Sequence, residues 1–408
     1  MTIAIETPAN IVSDDRLAKR NALVLAVAQA LAGGNNAVIV ATSGIAGASL
    51  APDPGLATVP ISAMVVGMWV GALPIGMMAK NYGRRFALQV GSVFGVLAGF
   101  VSCVAMLQGS FPQLILGTFC GGLYAAAHQS YRFAAADTAS EAFRPKAISY
   151  VMAGGLFAAF VGAQLVIFTK DLWQPFLFAA TYLGQAAVAL LAAGVLVFLR
   201  IPKPSKAGHH EATARPLSEI ARQSRFIVAV VCGVASYGIM NLIMTSAPLA
   251  MVVECGHSVT ESTLGLQWHV LAMYGPSFFT GTLISRFGTK PVVGAGLGLI
   301  AASAIVGLLG TSVAHFWAVL ILLGLGWNFG FIGATAMVTE CHRPAERNKV
   351  QAFNDFLVFG SMAVTSFSSG KLLATIGWVA VNITAFPIIL VAGTLLFWLA
   401  LRPRPHAA

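Results

Sequence analysis

Met240 and Met244 stand four residues apart, and so do His269 and Met273. At that spacing both side chains of a pair lie on one helix face, so each pair aims two soft donors in one direction. Thioether sulfur with imidazole nitrogen suits copper, Cu(I) above all, and suits Mg or Ca poorly. A histidine within an apolar stretch is costly and faces a cavity or a partner helix, whereas methionine also serves as a filler of apolar gaps. Met251, seven residues beyond Met244, continues the same face. Met68 offers a sulfur from a different segment, and Cys232 and Cys255 flank the methionine pair as accessory soft ligands.

What holds these donors follows from composition. With 57% hydrophobic and 9% charged residues and a mean hydropathy of +0.81, the chain is too apolar for an ordinary soluble domain and its natural partner is a lipid bilayer. A spanning helix needs about 20 predominantly apolar residues. Twelve such stretches are predicted, over 22–48, 58–79, 86–107, 111–131, 147–169, 174–199, 226–251, 261–285, 291–310, 313–338, 350–370 and 376–401. Of the 24 Lys and Arg residues, all but Lys170 and Lys371 fall on one side of this layout. By the positive-inside rule that side is cytoplasmic and holds both termini. The net charge of +10 is therefore a signal of topology, and no nucleic-acid partner is implied. The polar first 21 residues and the long first span point to a retained segment, with no cleaved leader. Five scattered cysteines support neither a disulfide framework nor a structural zinc site. No nucleotide loop, nucleophile triad or catalytic carboxylate pair is present, so an enzyme is not indicated.

The chain also repeats itself. Gly76-Met-Met-Ala-Lys80-Asn-Tyr-Gly83-Arg84-Arg85 has a counterpart in Gly281-Thr-Leu-Ile-Ser285-Arg-Phe-Gly288-Thr-Lys290, and Phe143-Arg144-Pro145 has one in His342-Arg343-Pro344. Both echoes are offset by about 200 residues, which indicates two six-helix halves in parallel orientation. The expected organisation is a cytoplasmic tail over 1–21, a six-helix half over 22–199, a linker over 200–223, a second six-helix half over 224–401 and a tail over 402–408. His209-His210 falls in that linker and reads as solvated chain. Glycine pairs at four-residue spacing, among them Gly67/Gly71, Gly91/Gly95, Gly117/Gly121, Gly294/Gly298 and Gly326/Gly330, let helices approach closely. Pro248 and Gly275-Pro276 interrupt the segments that carry the soft donors, where freed carbonyls bend a helix or line a cavity.

Twelve spans, a central loop and the loop Gly76, Lys80, Gly83, Arg84, Arg85 with its second copy resemble the major facilitator superfamily. The resemblance implies an all-α membrane protein of twelve transmembrane helices in two pseudo-symmetric halves, with spans one, four, seven and ten lining a central cavity and two, five, eight and eleven flanking it. Lys80 stands where that family usually has an Asp, so the gating role of that acid does not carry over. Within the superfamily, Met240-x-x-x-Met244 and His269-x-x-x-Met273 are similar to motifs of the CcoA-like copper importers of bacteria, a branch that also includes riboflavin transporters. This implies import of copper across the bacterial inner membrane by alternating access. Copper would be the transported substrate with no bound cofactor, and copper chaperones of cbb3-type cytochrome oxidase assembly would be candidate partners.

The alternative cargo is riboflavin or another small organic solute, and it has residues of its own. Asn35 and Asn36 on span one, His128 and Arg132 at the end of span four, Asn328 on span ten and Asn354-Asp355 on span eleven are polar groups for a cavity. Trp69, Trp268 and Trp327 are candidate stacking surfaces. His128 and Arg132 share a face and read foremost as parts of a cytoplasmic gate.

Overall fold

The computed structural model describes residues 15–140, 143–201, 215–343 and 346–402; His209-His210 and Pro344 lie outside them. The regular elements among these residues are all helical. The first half comprises α1 (Asp15–Leu50), α2 (Val59–Tyr82), α3 (Arg84–Gln108), α4 (Phe111–His128), the short α5 (Tyr131–Ala136), α6 (Arg144–Thr169) and α7 (Ala179–Leu196). The second comprises the short α8 (Leu217–Ala221), α9 (Ser224–Leu249) with a π-helical continuation over Ala250–Glu254, α10 (Val259–Tyr274), α11 (Ser277–Phe287), α12 (Thr289–Leu309), α13 (Val313–Thr339), α14 (Arg347–Ile376), α15 (Trp378–Ile383) and α16 (Ala385–Leu401).

Ten of the twelve predicted stretches correspond to helices, continuous or nearly so, that are long and apolar enough to cross a membrane. The other two are α4, a helix of 18 residues, and the pair α10–α11. That pair is broken at Gly275-Pro276, because proline has no N–H to continue the hydrogen-bond ladder. Boundaries shift where hydropathy and hydrogen bonding part company. Helix α1 starts at Asp15, seven residues before the apolar run, with the carboxylate in its first turn, where a negative charge complements the helix dipole. Asn21 then pins it: Nδ2 donates to Arg200 O at 2.7 Å and Oδ1 accepts from Arg200 N at 3.1 Å, tying the start of α1 to the chain leaving α7.

The repeated loops share one backbone device. Gly83 (φ +96°) alone separates α2 from α3, and Gly288 (φ +85°) alone separates α11 from α12, a left-handed conformation that favours glycine. Close helix packing rests on small residues, though not on every predicted pair. A Cβ on Gly122 would stand 2.0 Å from Met64 O, and one on Gly67 2.3 Å from Phe119 O, so α2 and α4 meet backbone to backbone. Between α12 and α13 the contact residue is Gly296, whose Cβ would stand 2.3 Å from Gly330 N; the predicted Gly298 faces open space.

The two halves close on each other at the end where α1 finishes and α2 begins. Thr58 Oγ1 donates to Ser366 O at 3.3 Å, Ser62 Oγ and Ser366 Oγ lie 2.9 Å apart, and a Cβ on Gly370 would meet Thr58 Oγ1 at 2.2 Å. Further along the interface, Gln164 Nε2 on α6 donates to Gln267 Oε1 on α10 at 3.4 Å.

Candidate functional site

Between the halves lies a cavity of about 1070 Å³, counting the part open to solvent, with walls supplied by α1, α2, α4 and α6 on one side and α9, α10 and α14 on the other. Among the described residues, its lining includes no Asp, Glu, Lys or Arg. Met240 and Met244 project into it from α9, Met273 from α10 and Met68 from α2, joined by Met64, four residues before Met68, and by Met362, which the sequence reading passed over. Three of the four proposed soft donors thus reach a common space.

His269 does not join them. It is fully buried and is not part of the lining; Nδ1 pairs with Leu320 O on α13 at 2.7 Å, and Nε2 has no hydrogen-bond partner. Helices α10 and α13 run so close that a Cβ on Gly324 would come 2.6 Å from His269 O. The imidazole therefore acts as an inter-helix connector. The accessory ligands are also elsewhere: Met251 is fully buried in the π-helical turn, Cys232 Sγ lies 3.8 Å from Ala392 O on α16, and Cys255 follows the end of that turn. None of the three lines the cavity.

The polar candidates divide into joints and wall groups. Asn35 and Gln185 exchange hydrogen bonds of 2.9 and 2.8 Å, which locks α1 to α7. Asn328 repairs the break between α10 and α11: Nδ2 donates to Met273 O (2.6 Å) and to Ser277 Oγ (2.8 Å), while Oδ1 accepts from Thr280 Oγ1 (2.6 Å). It satisfies a carbonyl beside the break and leaves no group for a solute. Arg132 is half-buried over the Phe133 ring at 4.8 Å, outside the lining. Asn36 and His128 do line the cavity. Asn36 Oδ1 has no partner, and neither ring nitrogen of His128 has one on another residue.

The tryptophans are corrected as well. Trp69 packs on Phe356 at 5.2 Å, Trp268 is 46% exposed, and Trp327 is buried against Phe331 at 5.3 Å; none lines the cavity. Aromatic surface comes instead from Tyr237 and Tyr274, which Trp327 supports edge-on at 5.3 and 6.2 Å. Gln129, beside His128, lines the cavity too, and Gln29, Asn241 and Gln267 are further polar lining residues that the sequence reading missed. Gln29 and Gln267 had a legible signal, since an amide within an apolar span needs a partner or a cavity.

At the ends of the bundle the charged groups pair within a half. In the repeated loop, Lys80 and Arg85 are exposed and Arg84 Nε meets Asp137 at 2.9 Å. Arg215, within the linker, grips Glu346 with two guanidinium bonds of 2.8 Å. That guanidinium and the Arg343 backbone N–H hold the Glu346 carboxyl well below the usual range.

The Major Facilitator Superfamily profile matches residues 25–275 and 229–408. The chain belongs to that superfamily. It is a transporter and a multi-pass membrane protein, not an enzyme. The riboflavin transporter RfnT of Brucella anthropi is 48% identical over 398 residues, covering 97% of this chain and 99% of that protein. The MFS-type transporter YdeG of Bacillus subtilis is 29% identical over 388 residues, 90% of this chain and 89% of that one. Among solved structures, a bacterial homologue of the human lysosomal transporter Spinster, inward-facing and unoccupied, superposes with TM-score 0.70 at 14% identity, covering 95% of this chain and 99% of that one. The Escherichia coli xylose transporter XylE, partially occluded and inward open, gives 0.70 at 14%, with 95% and 98% covered. The expectation of copper import, with the metal-binding and oxidase-assembly roles attached to it, is overturned by the near full-length likeness to a riboflavin transporter. The geometry agrees, because the one imidazole of the donor set is committed to α13.

Proposed function

We propose that this protein carries riboflavin, or a closely similar uncharged heteroaromatic solute, across the bacterial inner membrane by alternating access. The observation that carries the reading is the cavity wall, which has no ionised side chain and combines amides, thioethers and tyrosine rings. A planar, neutral solute with hydrogen-bonding edges matches such a wall, which offers amides for its edges and thioethers and rings for its faces. The likeness to RfnT supplies the specific candidate.

Lys and Arg placement puts both termini and the linker in the cytoplasm. In that orientation the Thr58–Ser366 contacts fall at the periplasmic end, which supports a reading of this state as closed to the outside. The Arg84–Asp137 pair holds the α2–α3 loop on the cytoplasmic side. The test is expression in a bacterial riboflavin auxotroph that lacks its own uptake system. Growth at low micromolar riboflavin and time-dependent uptake of labelled riboflavin are expected. Membrane-inserted protein at normal levels with no gain in either would reject the reading.

A further inference from the structure

The two walls of the cavity differ in what they leave unsatisfied. On the side of the first half, Asn36 Oδ1 and both ring nitrogens of His128 are buried without partners on other residues. An unsatisfied buried polar group is costly, and such a cost is tolerable in a carrier if the solute itself supplies the missing partner. On the side of the second half, Met240, Met244, Met273 and Tyr237 present thioethers and a ring face, and the Asn241 Nδ2 group is spent on Met362 O (3.0 Å) and Thr365 Oγ1 (3.2 Å). Polarisable sulfur and aromatic carbon favour the faces and edges of flat rings.

Resting on the riboflavin reading, we propose that Asn36 and His128 are specificity-determining residues that read the imide edge of the ring system, while the methionine and tyrosine wall holds its face. A carboxamide offers acceptor and donor in one plane. A neutral imidazole offers one of each. The imide edge of an isoalloxazine presents a single N–H between two carbonyls, so it can donate to Asn36 Oδ1 and accept from the His128 N–H. Both partners are planar and rigid, so these bonds cost little rotamer freedom, unlike bonds to a flexible polyol chain. His128 is held for this task by packing, with the Tyr124 and Tyr131 rings edge-on at 6.2 Å each.

The experiment measures binding to the purified full-length chain in lipid nanodiscs by flavin fluorescence, with riboflavin, N3-methylriboflavin and lumiflavin as probes. Wild type is expected to bind the N3-methyl compound at least about tenfold more weakly than riboflavin, the size of one good hydrogen bond. In Asn36→Ala the gap is expected to close to within about twofold, because riboflavin loses a bond that the methylated ring never made, whereas in His128→Ala both flavins are expected to weaken by a similar factor, since the carbonyl that accepts from His128 is present in each. Thermal midpoints show whether each variant is folded, and Asn36→Ser and His128→Asn serve where an alanine variant is not. A gap that persists in a folded Asn36 variant, or unchanged binding of both flavins in a folded His128 variant, overturns the imide assignment and leaves the transport reading intact. So does a loss confined to the contrast between riboflavin and lumiflavin, which lacks the polyol chain. Failure of riboflavin itself to bind wild type removes both.

Discussion

Asn35 and Asn36 are neighbours in sequence with opposite fates. Asn35 is fully spent on Gln185 and fastens α1 to α7, while Asn36, about 100° further around the helix, stands unpartnered at the cavity. The contrast extends to the walls. In the second half the conspicuous polar residues act as joints: His269 on Leu320 O, Asn328 at the α10–α11 break and Asn241 on α14. The face left to a solute there is mostly sulfur and ring. In the first half, polar capacity is left open. An amide or imidazole within a membrane helix thus has two ways to be tolerated, by binding a neighbouring helix or by awaiting a ligand, and residue type does not choose between them.

The contrast breaks most severely if the soft wall is given a charge. Met244→Lys places an ammonium on the thioether wall, and riboflavin uptake is expected to fall by about a hundredfold or more at equal protein level. Next comes Asn328→Ala, which removes the side-chain partner of Met273 O and of Ser277 Oγ. A stability loss of about 1–3 kcal/mol is expected, read as a lower thermal midpoint, whereas Asn36→Ala on the opposite wall leaves the midpoint unchanged. A joint outside both walls sharpens the same point. Glu346→Gln weakens the Arg215 clamp and lowers the midpoint, and the loss is expected to be equal at pH 6 and pH 8. The folded-state pKa of Glu346 is depressed, so its contribution is complete above the ordinary glutamate value of 4.5 and is lost only as pH falls below that toward the folded pKa. The smallest effect is expected from Met240→Leu, a near-isosteric change. Uptake should stay within about twofold, since the thioether contributes shape and no ligand bond.

Much of this architecture was legible in the sequence because its signals are local. Apolar run lengths placed the helices, the 200-residue echo separated the halves, and Gly83 and Gly288 marked the two matching turns. Methionine spacing also found Met240, Met244 and Met273 at the cavity. What could not be read was the third dimension of each polar residue. His269 sits four residues before a lining methionine, yet α13 passes within hydrogen-bond reach and captures its ring. Asn328 looked like a cavity residue because the break it repairs lies in another helix. Tyr237 and Tyr274 line the cavity, whereas the three tryptophans chosen for stacking do not; an aromatic in an apolar span carries no mark of the side it faces. The cargo depended least on local pattern, because a soft-donor motif and a methionine packing ladder share the same spacing.

The most direct test is uptake into proteoliposomes containing the purified chain, with riboflavin and its 5′-phosphate as the two solutes. A cavity free of ionised side chains should give saturable riboflavin uptake that excess phosphorylated flavin does not inhibit, and no uptake of the phosphate itself. Equal uptake of both flavins, or of neither by demonstrably inserted protein, would contradict a neutral solute site at the junction of the two halves.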